Sequence, residues 1–120
     1  MATTAPSTLE SPYCAGSSCE AEIARALSLV ATRWAIPVLE ALVFADEPLR
    51  FRELQRCVVG GISQKELTRQ LTSFVHHGIA LRHEVQGPGA RVDYVLTERG
   101  SALLEQMDAL GQWARGAGRS

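Results

Sequence analysis

The sequence has 120 residues, 46% of them hydrophobic and 21% charged, with a formal charge of −1 and a mean hydropathy of zero. This composition excludes a wholly disordered chain, and the length fits one core rather than an elaborate two-domain enzyme. No apolar run approaches the ~18 residues of a membrane span. The opening MATTAPSTLESPYC has neither the basic nor the apolar region of a secretory signal, so a cytoplasmic protein with no membrane partner is expected.

The charges are unevenly spread. Residues 1–49 are acidic, whereas residues 50–91 place Arg50, Arg52, Arg56, Lys65, Arg69, Arg82 and Arg91 against only Glu53, Glu66 and Glu84. A locally basic segment in a neutral chain suits a protein with one face toward phosphates, although solvated helix faces give the same pattern. Three cysteines, Cys14, Cys19 and Cys57, are too few for a disulfide framework. Cys14 and Cys19 lie five apart, but no second close pair with zinc-ligand spacing accompanies them, so neither metal nor cofactor is expected.

Residues 1–18 are rich in Ser, Thr, Pro and Gly and predict a flexible arm. A domain over 19–114 follows, with 115–120 as a disordered tail. Ile23, Ala26, Leu27 and Val30 recur at helical spacing, with Ser18 available as a cap. A second, central helix is expected from Trp34 to Phe44, apolar around most of its circumference, with Pro37 placing its start in question. Leu49 to Phe51 reads as a short strand and Arg52 to Val58 as a third helix, with Cys57 expected in the core. Gly60 and Gly61 then break the chain.

Ser63-Gln64-Lys65-Glu66 is a capping box that starts a helix over about 63–77. Leu67, Leu71 and Phe74 mark its core side and Gly78 its end. A helix, a glycine turn and a second capped helix form a helix-turn-helix. The second helix carries Ser63 at its cap and Gln64, Lys65, Thr68, Arg69 and Thr72 on the face away from the core. These residue types hydrogen-bond base edges and phosphates of double-stranded DNA. The His76-His77 pair closing the helix reads as neutral and solvent-facing.

Ile79 to Val85, the loop QGPGA and Arg91 to Leu96 predict a hairpin, so 79–96 reads as a wing with Arg91 near its tip. The alternative is a hairpin that only seals the core through Val85, Val92, Tyr94 and Leu96, with Tyr94 and Leu96 facing the core in either case. A last helix over about 97–114 bears Leu103, Met107, Leu110 and Trp113 in one stripe. That stripe, with Ile23, Leu27 and Val30 of the first helix, suits a homodimer interface. The expected class is mainly α with a small β-hairpin: a winged helix-turn-helix with terminal dimerisation helices.

Three ordered motifs carry a resemblance. They are Arg50-Phe51-x-Glu53-Leu54, Gly61-Ile62-Ser63-x-Lys65-x-Leu67-Thr68-x-x-Leu71, and Arg91-Val92-Asp93-Tyr94-x-Leu96-Thr97-x-x-Gly100. From about Cys19 to Trp113 the chain resembles the HxlR family of winged helix-turn-helix transcriptional regulators, relatives of MarR-type proteins. The resemblance implies a homodimer on an inverted-repeat operator, repressing or activating a neighbouring gene, with no catalytic residues. Where the family pattern has Gly-Gly-Lys-Trp this chain has Ala31-Thr32-Arg33-Trp34, and the segment 57–61 is one residue longer than usual.

Several members sense oxidants through a cysteine before the first helix, a position matched by Cys19 with Cys14 nearby. A thiolate there is favoured by a helix N-terminus and opposed by Glu20 and Glu22. The alternative is a small-molecule effector, or no effector at all. In the DNA-binding reading Arg50, Arg52 and Arg91 hold phosphates. The rival is a winged-helix module that binds protein or ligand and not DNA.

Overall fold

The computed structural model describes residues 17–117. The chain divides into two compact units, one ending at Arg33 and one beginning at Trp34. In the first, α1 (Ser17–Val30) starts earlier than the sequence suggests, so Ser18 lies inside the helix and is not its cap. Ile23 and Leu27, one turn apart, are 53% and 48% exposed, and Val30 is half-buried. The proposed arm falls outside the described residues, apart from positions 17 and 18.

The second unit begins at the buried Trp34, which precedes α2 (Ala35–Val43). Pro37 is the third residue of that helix, within the first turn, where a backbone N–H would have no intrahelical acceptor. It therefore neither bends nor shortens α2. Ala35, Val38, Leu39 and Leu42 are buried, but Ile36, Val43 and Phe44 are exposed. The helix is thus buried along one face rather than around its circumference.

Next come β1 (Leu49–Arg50) and α3 (Phe51–Cys57), so Phe51 opens a helix instead of ending a strand. The reason is local: the Glu53 carboxylate accepts a hydrogen bond from the Arg50 N–H at 2.9 Å and caps the helix one residue early. Leu54 and the following Val58 are buried, whereas Cys57 is exposed and not in the core. It stands three residues beyond Leu54, turned instead toward a 270 Å³ hollow it shares with Pro37, Phe44, Leu49 and Val59.

After the glycine turn, α4 (Gln64–His76) buries Leu67, Gln70, Leu71 and Phe74. Its end is closed by two bonds, Gly78 N–H to Val75 O at 3.1 Å and Ile79 N–H to Phe74 O at 2.8 Å, around a Gly78 φ of +74°. This Schellman arrangement satisfies carbonyls the helix leaves open. Strands β2 (Ala80–Val85) and β3 (Arg91–Leu96) form the hairpin, and β1 joins its other edge, giving an antiparallel sheet in the order β1-β3-β2. Leu49 pairs with Tyr94, and Arg50 with Asp93. Tyr94 and Leu96 are only half-buried, and the buried residue of β3 is Asp93.

The final helix, α5 (Glu98–Ala117), runs 20 residues, three beyond the expected end, and so is roughly 30 Å long. Thr97 caps it: its Oγ1 accepts from the Gly100 N–H at 3.0 Å and donates to Ile79 O. Gly100 is required there, because a Cβ would lie 2.3 Å from the Ile79 carbonyl oxygen. Leu103, Leu104 and Met107 are half-buried, but Leu110 and Trp113 are 54% and 70% exposed. No single helix among the described residues is long and apolar enough to cross a membrane.

Candidate nucleic-acid interface

The turn from α3 to α4 sets the pose of the second helix. Gly60 and Gly61 have φ of +109° and +76°, values that L side chains resist. Gly60 also lies against the Trp34 indole, which a Cβ would approach to 3.2 Å. From α3, Gln55 donates from Nε2 to the Ile62 carbonyl at 3.1 Å, tying the helix to the turn's far side. Sequence reasoning missed Gln55, since a single amide on a short helix gives no pattern.

The N-terminus of α4 is closed reciprocally. The Glu66 N–H donates to Ser63 Oγ at 3.1 Å, while the Glu66 carboxylate accepts from the Ser63 N–H at 3.2 Å and the Ser63 hydroxyl at 2.9 Å. At the other end Arg99 Nε donates to the His77 carbonyl at 2.9 Å, placing a cation where the helix dipole is negative. His77 is half-buried with Nδ1 2.9 Å from Ser73 O, and the exposed His76 packs edge-on against it.

Fixed at both ends, α4 turns one side outward. Ser63, Gln64, Lys65, Thr68, Arg69 and Thr72 are all exposed, and Gln64, Lys65, Thr68 and Arg69 line one open hollow of about 580 Å³. The first two turns thus present amide, ammonium, hydroxyl and guanidinium groups together. Arg50, at the end of β1, and Arg52, in the first turn of α3, are exposed too.

Of the seven cations between residues 50 and 91, two are in ion pairs among the described residues. Arg82 meets Glu84 at 2.7 Å, and this contact first, with Tyr94 second, holds the guanidinium above its ordinary pKa. Arg91 meets Asp93 at 3.2 Å. Among the described residues no carboxylate lies within ion-pair distance of Arg50, Arg52, Arg56, Lys65 or Arg69. Arg91 is the first residue of β3, next to the loop at 86–90 and across from Val85.

The other candidates belong to other elements. Cys14 lies outside the described residues, and Cys19 is the third residue of α1. Ile23, Leu27 and Val30 belong to α1, whereas Leu103, Met107, Leu110 and Trp113 belong to α5. Among the described residues no three His, Cys, Asp or Glu side chains come together as a metal site.

Three helices, the last presented by a tight turn and followed by a β-hairpin, define a winged helix-turn-helix protein. The HxlR-like helix-turn-helix family matches residues 29–119. The chain is 33% identical over 87 residues to the HTH-type transcriptional regulator BH0655 of Halalkalibacterium halodurans, a span of 72% of this chain and 75% of that one. It superposes with a TM-score of 0.71 on diamide-treated YodB from Bacillus subtilis, at 30% identity, covering 79% of this chain and 91% of YodB. A crystal structure ascribed to the MarR family from Enterococcus faecalis V583 gives a TM-score of 0.76 at 27% identity, covering 91% and 96% of the two chains. The chain belongs to the HxlR family of helix-turn-helix transcriptional regulators, and it is not an enzyme.

Proposed function

We propose that the chain is a homodimeric, sequence-specific regulator of transcription that binds an inverted-repeat operator. The observation that carries this reading is the exposed side of α4, where polar and basic groups cluster at the end of a helix locked by its capping box. Gln64, Lys65, Thr68, Arg69 and Thr72 read or position bases in a major groove, with Ser63 at the entrance. Arg50, Arg52 and Arg91 hold the flanking phosphates.

Two protomers are joined through α1 and α5. In support, Ile23 and Leu27 of α1, and Leu110 and Trp113 of α5, are large apolar side chains about half exposed or more, and exposed apolar helix faces of that kind suit an isologous interface. The two recognition helices then enter successive major grooves about 34 Å apart. Among the described residues the four cations Arg50, Arg52, Lys65 and Arg69 lack carboxylate partners. With these four and Arg91 engaged in both protomers, the log–log salt slope would be roughly −9.

Oxidation at Cys19, with Cys14 as a neighbouring thiol, is the signal we assign, and a small-molecule effector is the outcome the test separates from it. Support comes from the position of Cys19 in the first turn of α1 and from the likeness to YodB, whose structure is known in reduced and diamide-treated forms. Fluorescence anisotropy on the DNA upstream of the chain's own gene, against a scrambled duplex, tests the reading. Preferential, salt-steep binding that diamide weakens, and that a Cys19→Ser variant retains, is expected. Binding indifferent to oxidant refutes thiol signalling, and equal affinity for both duplexes refutes sequence-specific recognition.

A further inference from the structure

The sheet holds a buried carboxylate that the DNA-reading residues leave unexplained. Asp93, midway along β3, is 5% exposed. Its Oδ1 is sealed from solvent and makes no hydrogen bond among the described residues. A buried carboxylate oxygen without a hydrogen bond is costly and is rarely kept without a reason.

The surroundings supply one. Arg91, two residues along the same strand and so on the same face, brings Nε to 3.2 Å from Oδ1 and donates a hydrogen bond to Oδ2 at 3.4 Å. In the cross-strand register Asp93 stands between Arg50 of β1 and His83 of β2. Residues directly opposite in an antiparallel pair share a face, so Arg50, Arg91 and His83 surround this single acid.

The contact with Arg91 runs through Nε, the inner nitrogen of the guanidinium. The Arg91 side chain is 44% exposed, while that of Asp93 is 7% exposed. A guanidinium gripped at its inner edge turns its outer nitrogens toward solvent, in the fork that matches a phosphate. An otherwise long and freely rotating side chain at the start of the wing strand is thereby set before DNA arrives, and less rotamer freedom is lost on binding.

We propose that Asp93 is a positioning residue for DNA binding: it aims the Arg91 guanidinium at a backbone phosphate and fixes the wing against the operator. The inference rests on the DNA-binding reading above. It makes a prediction opposite in sign to bulk electrostatics, because removing a carboxylate beside a polyanion's site would otherwise tighten binding.

The test compares wild type, Asp93→Asn, Arg91→Ala, the double variant and Arg91→Lys on the upstream duplex by anisotropy across salt, with thermal melts alongside. Asp93→Asn is expected to weaken binding about tenfold despite its added positive charge. The salt slope should become shallower by about 2, one phosphate contact in each protomer. The same substitution should have no further effect beside Arg91→Ala. Arg91→Lys, exposed and harmless to folding, keeps the charge but lacks Nε, and should match Asp93→Asn.

Unchanged or tighter binding by Asp93→Asn overturns the proposal, as does a loss that persists beside Arg91→Ala or wild-type affinity in Arg91→Lys. Should Asp93→Asn fail to fold, Arg91→Lys decides alone. A wild-type protein that binds neither the upstream nor the scrambled duplex overturns the DNA-binding reading and this proposal with it.

Discussion

Replacing Ser63 by Ala would remove one oxygen and leave the Glu66 N–H without its 3.1 Å acceptor. Ser63 is exposed, so water replaces that acceptor and no buried polar group is orphaned. The cost is therefore that of an N-cap alone, about 1 kcal/mol. For a domain of this length it corresponds to a fall in Tm of roughly 4 °C. The reciprocal bond from the Ser63 N–H to the Glu66 carboxylate is still available to the alanine backbone. Ser63→Ala and Glu66→Ala should therefore be non-additive, with a coupling of about 0.5 kcal/mol or more. Thermal melts at fixed protomer concentration, with Ser63→Thr retaining most of the stability, measure this. A Ser63→Ala protein with wild-type Tm would refute the view that the capping box anchors α4.

Gly100→Ala should be more damaging than its size suggests, since the new methyl would meet the Ile79 carbonyl at 2.3 Å and Leu96 Cδ1 at 2.7 Å. A loss of about 1–3 kcal/mol is expected in denaturant unfolding, and an unchanged midpoint would contradict the close approach. Leu110→Asp combined with Trp113→Ala should convert a dimer to monomers in analytical ultracentrifugation while far-ultraviolet circular dichroism keeps its helical signal; a persistent dimer would remove α5 from the interface. In a Cys14→Ser, Cys19→Ser variant, the exposed Cys57 should react with a thiol reagent in the folded state. Protection until unfolding would contradict its placement.

The elements were readable where one residue type does one local job. Ser63 and Glu66 can close a helix only at that spacing, and the Gly60-Gly61 and Gly78 breaks bound what lies between. The hairpin followed from its glycine loop, down to the limits of β3. Cys57 was misread because a seven-residue helix gives too few turns for a period to separate core from surface. Phe44 and Val43 show the same limit, as apolar residues at a helix end carry no label for the face that is buried. Asp93 was beyond reach for another reason. Alternation along β3 favours Val92 and Tyr94 as the inward residues, whereas Asp93 is the buried one, with Arg50 of β1 and His83 of β2 opposite it in the register. The pairing is non-local, and so is the ion pair's significance.

The central claim is that the outward side of α4 reads DNA sequence. Anisotropy titration of wild type and Arg69→Ala on the upstream and scrambled duplexes tests it most directly. Arg69 is exposed and has no ion-pair partner among the described residues, so its removal should leave the Tm within about 1 °C while lowering upstream affinity at least tenfold and erasing the preference over the scrambled duplex. Equal upstream affinity for the two proteins, with the preference intact, would contradict the claim.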